Sequence, residues 1–256
     1  MLYICCVLLL LISNILFAKE DCFVAKENYK IIIIQGNCDD KYPPQSTFKI
    51  PLSLMGFDSH ILNNSLDPTW NLPQDKKANI NVCKTPHNPK SWMRDSCVWY
   101  SQILTNKLGL NKFNSYIKQF TYGNMDVSGG INDAWLSSSL LISPNEQIEF
   151  LQNMLDKKFD ISSTAYKETK KILFTQELAG GWQLYGKSGN GYLKDKRGNL
   201  TQLQHGWFIG FIEKNDKIIV FASHIVDSQE QDVYASFRAK DKALHKLWYL
   251  IDTLEN

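Results

Sequence analysis

Trp182-Gln183-Leu184-Tyr185-Gly186-Lys187, then Gly206-Trp207-Phe208-Ile209-Gly210 running on to Lys214, then Lys217 to Ser223, are three apolar-rich runs of strand length. Turn residues join them, at Lys196-Arg197-Gly198-Asn199 and Glu213-Lys214-Asn215-Asp216, so the runs predict a sheet of successive antiparallel strands. Working outward, Leu244, Leu247, Trp248, Ile251 and Leu254 recur at spacings of three and four and predict a closing amphipathic helix. Before the sheet, Ser163 to Phe174 reads as a helix, and Ser143-Pro144-Asn145-Glu146 opens another through Ile148, Leu151 and Leu155. Between Arg94 and Ile117 the apolar positions suit two short helices parted near Gly109-Leu110-Asn111, while residues 63–92 read as loops. Ser46 to Phe57 is a helix that Pro51 should bend, and segments 22–26 and 29–35 are strands. Strands, helices, strands, helix is an α+β order. It predicts an antiparallel β-sheet flanked by helices, built from residues 19–58 and 158–256, with an inserted all-helical lobe at 59–157.

Composition narrows the class. Of 256 residues 44% are hydrophobic and 21% charged, with 14 Gly and 8 Pro, which excludes low-complexity, collagen-like and multi-span membrane chains. The net charge of +2 comes from 28 basic and 26 acidic residues with the signs interspersed, so no nucleic-acid partner is expected. Residues 2–17 are almost wholly apolar and are followed by Ala18 and the charged Lys19, Glu20 and Asp21. That pattern reads as an export signal over residues 1–18, with a periplasmic destination and no membrane partner after cleavage. Cys5 and Cys6 leave with it. Cys22, Cys38, Cys83 and Cys97 show no C-x-x-C spacing, and the five histidines show neither H-x-H nor H-E-x-x-H, so no metal is expected. Cys22 and Cys38 flank a strand pair; either they bridge it in an oxidising compartment or both are buried thiols. Cys97 reads as a packing residue.

Ser46-Thr47-Phe48-Lys49 sets a hydroxyl and an amine three residues apart at a helix start, on one face. A lysine so placed can act as base for the serine, and the helix N-terminus offers N–H groups to a developing oxyanion. Taken alone the tetrapeptide reads first as a helix cap, and the same spacing recurs at Ser115 and Lys118, an ordinary exposed face. Its companions change that weighting: Ser96-Cys97-Val98, Tyr122-Gly123-Asn124 and Lys187-Ser188-Gly189, in that order. With Trp135 and the Gly206 to Gly210 run, these motifs resemble class D, the oxacillinase-type β-lactamases among the penicillin-recognising serine enzymes. The resemblance extends from the strand before Ser46 to the Arg238 segment.

The resemblance implies the family's fold and hydrolysis of the β-lactam amide through an acyl-enzyme on Ser46. Val98 stands where class A relatives carry Asn, and no E-x-x-L-N segment occurs. An amine at Lys49 walled by Phe48, Val98, Trp135 and Leu136 would be hard to charge. A neutral amine adds carbon dioxide, and the family implies an N-carboxylated Lys49 held by the Trp135 indole, with no other cofactor. Ser96 and Lys187 would serve the leaving nitrogen. Asn190 would complete the oxyanion hole with Ser46, and Ser188, Gly189 and Arg238 would bind substrate, Arg238 through its carboxylate. Val98 and Leu136 would wall the site, and Tyr122 and Asn124 would line it. Arg197 is set aside, and Trp182 and Trp207 read as sheet packing. A penicillin-binding sensor that stays acylated, or a cell-wall peptidase, would share the first half-reaction. Oligomeric state, a homodimer included, stays open, as does the range of β-lactams attacked.

Overall fold

The computed structural model describes residues 21–78 and 80–255. The export segment expected at 1–18 lies outside the described residues. Six strands form one antiparallel sheet in the order β2-β1-β6-β5-β4-β3. They are β1 (Cys22–Glu27), β2 (Lys30–Gln35), β3 (Phe174–Glu177), β4 (Gln183–Lys194), β5 (Leu200–Lys214) and β6 (Lys217–Val226). The β1–β2 hairpin turns through Asn28 and Tyr29, both at positive φ (46° and 66°), the twist a two-residue hairpin requires. The three runs that opened the sequence reading are β4, β5 and β6 in consecutive antiparallel register, so the expectation of an antiparallel sheet holds.

Seven helices accompany the sheet among the described residues: α1 (Lys49–Asp58), α2 (Pro89–Asp95), α3 (Val98–Leu108), α4 (Leu110–Gln119), α5 (Pro144–Leu155), α6 (Ser163–Leu173) and α7 (Ala235–Glu255). The bend expected at Pro51 resolves as a change of helix type. A 3-10 turn over Gln45–Phe48 runs into α1, so Pro51 falls in the first α-helical turn, where N–H groups have no partner to lose. α5 begins on a capping box, Ser143 Oγ accepting from the Glu146 N–H and the Glu146 carboxylate from the Ser143 N–H. The sequence reading places α5 in the helical lobe, but its apolar stripe is buried against β1, β5 and β6, and Glu149 reaches Lys26 on β1 at 2.6 Å. One core cluster accordingly runs from Cys22 and Val24 in the sheet through Phe48 and Leu52 of the α1 segment to Trp92, Trp135 and Ile148. A second, smaller cluster sits on the other face, where Ala239, Ala243 and Leu247 of α7 cover Leu184, Phe208 and Phe221.

All four cysteines among the described residues are bridged in pairs. Cys22–Cys38 closes the β1–β2 unit, one of the two alternatives the spacing allowed, and Cys83–Cys97 joins the 81–84 turn to the start of α3. The reading of Cys97 as simple packing is corrected. Cys97 is the extended N-cap of α3 (φ −63°, ψ 115°), so its side chain is not held on a helix face and turns toward Cys83.

Candidate active site

The Ser46 turn is clamped from three sides. Behind it, the Gln45 N–H donates to Trp135 O (3.0 Å) and the Gln45 side-chain amide to Ser137 Oγ (2.8 Å), while Gln45 itself holds a positive φ of 53°. From the sheet, the Trp207 indole donates to Pro43 O (2.9 Å), and a Cβ built on Gly189 would stand 2.9 Å from Pro44 O and 3.1 Å from Ser46 N. Only a glycine lets β4 approach the nucleophile turn so closely. From α5, Gln147 donates to Thr47 Oγ1 (3.1 Å) and accepts from the Tyr122 hydroxyl (3.3 Å). Ser46 is left half-buried at the mouth of this clamp.

Lys49 lies one helical step deeper, with Nζ 3.3 Å from Ser46 Oγ and donating to it. The lysine is 1% exposed, and its amine stands 6.0 Å from the centre of the Trp92 ring. Phe48, between the two, stacks on Trp135 at 5.2 Å. Burial in this aromatic surrounding, with the charge of Lys187 added, holds the Lys49 amine well below the ordinary lysine range. Lys187 is also buried, and burial with the neighbouring Lys240 brings its amine down to about 7, against a smaller opposing pull from Asp95. Its Nζ donates to Ser188 O at 3.0 Å.

Ser96 sits at the junction of α2 and α3 in the left-handed region (φ 68°, ψ 24°), its N–H donating to Trp92 O. A non-glycine residue there is costly, by about 1 to 3 kcal/mol, unless its neighbours fix it. Its neighbours do so: Cys97 is bridged to Cys83, and Asp95 holds His87 Nε2 at 3.1 Å and both arms of Arg94 at 2.7 Å. Val98, the next residue, is the half-buried first residue of α3, and Leu136 is half-buried beside Trp135. Asn190 uses its side chain structurally, donating to Gln204 Oε1 and accepting from the Ser236 N–H, which leaves its backbone on β4 beside Gly189.

Three expectations from the sequence meet a different geometry. Tyr122 is wholly buried, edge-on to Phe48 at 5.3 Å and to Phe150 at 5.0 Å, so it supports the nucleophile turn from behind and does not line the cleft. Burial pushes its phenol up. Asn124 is exposed and pins its own loop, donating to Ser139 O and accepting from the Leu141 and Asp126 N–H groups. Arg238 is engaged within its own segment: its guanidinium donates to Asp227 (2.6 Å) and Val233 O (3.1 Å). The sequence reading missed Gln45, Trp92 and the Cys83–Cys97 bridge. The even number of cysteines after residue 18 was the one available signal for the bridge; Gln45 and Trp92 carry no local pattern that marks them.

Comparison with known proteins identifies the family. Residues 23–247 match the family model described as penicillin binding protein transpeptidase domain. The chain is 39% identical over 220 residues to the β-lactamase OXA-9 of Klebsiella pneumoniae, covering 83% of this chain and 80% of that one. It is 37% identical over 244 residues to the β-lactamase OXA-1 of Escherichia coli, covering 91% and 85%. The crystal structure of the class D β-lactamase OXA-427 superposes with a TM-score of 0.86 at 35% identity, over 91% of this chain and 99% of that one. The chain belongs to the class D β-lactamases, within the penicillin-binding transpeptidase family. It is a hydrolase of β-lactams, as the motifs implied, and the relatives give no reason to invoke a metal.

Proposed function

We propose that Ser46 is the nucleophile and Lys49 the base of this β-lactamase, with Lys49 N-carboxylated. The observation that carries the reading is the Lys49 amine, buried at 1% exposure and 3.3 Å from Ser46 Oγ, where desolvation favours the neutral form. A neutral amine can form an N–C bond to carbon dioxide with loss of its proton, and the Trp135 indole beside Phe48 is the donor suited to hold the product. When formed, that carbamate supplies a base next to Ser46 for both half-reactions. Ser46 Oγ bonds to the lactam carbonyl carbon and gives up its proton, and the ring C–N bond breaks. The Ser46 N–H and the backbone N–H of Asn190 face the carbonyl oxygen as charge builds there. Ser96 passes a proton to the departing nitrogen, and Lys187 supplies positive potential beside it. Water then cleaves the acyl ester and restores Ser46. Gly189 keeps the cleft narrow, and Val98 and Leu136 limit its hydration.

We also propose export to the periplasm after loss of residues 1–18. The apolar 2–17 segment supports it, as do two disulfides, which persist in oxidising compartments.

The test follows a chromogenic cephalosporin with and without bicarbonate, in the parent and in Lys49→Ala. Steady turnover that rises with bicarbonate, with a single-equivalent burst in the variant, supports the reading. A one-equivalent burst in the parent, indifferent to bicarbonate, would move the protein to the acylated-sensor reading. Absence of any acylation would return Ser46 to a helix cap.

A further inference from the structure

Behind the nucleophile turn the sheet buries two histidines that the mechanism does not use. His205 on β5 is 1% exposed and His224 on β6 2%. His224 pairs across the strands with Trp207, two residues beyond His205, so both imidazoles and the indole lie on one sheet face. The Tyr42 ring covers them, its centre 4.4 Å from that of His224 and 5.6 Å from that of His205, and Trp207 lies 3.8 Å from His224. Polar atoms run in a line through these rings: Gln45 Nε2 is 3.4 Å from His205 Nε2, and His205 Nδ1 is 3.3 Å from His224 Nε2. Gly191, the cross-strand partner of His205, leaves room for the line, since a Cβ there would stand 2.2 Å from Gln45 Nε2 and 2.7 Å from His205 Nε2. The donors give the line its direction. The Ser137 hydroxyl donates to Tyr192 O (3.5 Å) and accepts from Gln45 Nε2 (2.8 Å), so the Gln45 atom facing His205 is the amide nitrogen. An amide N–H only donates. His205 Nε2 is therefore the bare ring nitrogen, and the proton on His205 Nδ1 is given to the bare Nε2 of His224.

We propose that His205, backed by His224, is a positioning residue of the β-lactamase: it holds the Gln45 side chain and through it aims the Ser46 N–H at the lactam carbonyl oxygen. The inference rests on the reading of Ser46 as nucleophile and names what sets the direction of its amide. Gln45 is 4% exposed and left-handed at φ 53°, and the peptide that follows it carries the Ser46 N–H. A left-handed residue other than glycine persists where its surroundings over-determine it. Its backbone N–H is held by Trp135 O, and its side chain is held between Ser137 and His205. An apolar side chain in place of His205 would fill the space and leave a buried Gln45 N–H without its acceptor. Gln45 then turns to find another, and the peptide bearing the Ser46 N–H turns with it.

The experiment compares the parent with His205→Leu, His205→Gln, Gln45→Met and the double variant of His205→Leu with Gln45→Met. Acylated Ser46 is counted with a labelled penicillin, and turnover is divided by that count. His205→Leu is expected to lower kcat per acylated site by about tenfold to a hundredfold with KM little changed, because an oxyanion donor acts in the transition states of both half-reactions. His205→Gln should recover most of that loss, since its amide oxygen can accept from Gln45 while its N–H donates to His224. The double variant should be no slower than Gln45→Met alone. Undiminished turnover per site in His205→Leu, or a loss that His205→Gln does not recover, overturns the proposal and leaves the histidines to packing. The parent offers a reading that needs no variant: nitrogen spectra of labelled histidine should show His205 and His224 protonated at Nδ1 and bare at Nε2. A proton on His205 Nε2 overturns the proposal too. A parent whose Ser46 takes up no label brings down the underlying reading, a result distinct from any change in turnover per site.

Discussion

Lys49 and Lys187 are two buried amines in one site, and their surroundings assign them different tasks. Lys49 is enclosed by aromatic rings and held well below the ordinary range chiefly by burial, so it is available as a neutral nucleophile toward carbon dioxide. Labelled bicarbonate should give the parent a carbamate carbon resonance that is absent from Lys49→Ala; its absence from an active parent would remove the carboxylation proposal. Arg238 makes the opposite point about charge. Its partner Asp227 is buried and also accepts from the Gln204 N–H, so truncating the arginine strands a carboxylate. We expect Arg238→Gln to lose about 3 kcal/mol of stability, read by urea denaturation. The family was legible at this scale because S-x-x-K, S-x-V and K-S-G are short, ordered and carry their own reasons. For the substrate carboxylate, residue type favoured Arg238. That Asp227, eleven residues earlier, holds its guanidinium is recorded by no local pattern.

At the scale of elements, the site is a set of approaches fixed by small residues and by covalent ties. β4 approaches the nucleophile turn through Gly189, against Pro44 O and Ser46 N, and through Gly191, against the Gln45 side chain, so Gly189→Ala should push the strand back by a few tenths of an ångström. Overpacking of this kind costs about 1 to 3 kcal/mol, and here we expect kcat to fall further than stability does, measured side by side on one preparation. The α2–α3 junction depends on the Cys83–Cys97 bridge, which closes a loop with a sequence separation of 14. Cys83→Ser with Cys97→Ser should cost about 3 kcal/mol by loop entropy and slow acylation by freeing Ser96. Unaltered acylation in the double variant would mean that Asp95 and Trp92 alone hold Ser96. Strands β4 to β6 were readable because their turn residues are local, and the Ser143 helix start because its cap is local too; the start of α2 at Asn88 was passed over, since residues 63–92, rich in Asn, Pro, Lys and Asp, read as loops. The short β3 was not read, its first residue Phe174 being taken as the end of the helix, since four residues carry no period of their own.

For the whole molecule, buried amines couple charge to stability. An unfolded lysine keeps its ordinary value, whereas Lys187 in the native protein falls to about 7 and Lys49 is lowered in the same direction. Above about pH 7 the unfolded chain therefore binds more protons than the native one, and stability rises with pH toward the ordinary lysine value; below that, the cost of the buried Lys187 charge is fully expressed. Urea midpoints taken between about pH 7 and pH 9 should climb in the parent and climb less in Lys187→Met. Equal slopes would show that Lys187 does not titrate as described.

The core cluster that joins the sheet to the helices has the nucleophile turn at its centre, with Phe48 wholly enclosed. A protein so knit has no small door: the amides of Thr47 and Phe48 can meet deuterium only when the entire chain comes apart. Exchange at those two positions should follow global unfolding as denaturant is added, and the power to open a lactam ring should vanish in the same step as the fold, without an inactive but still folded species before it.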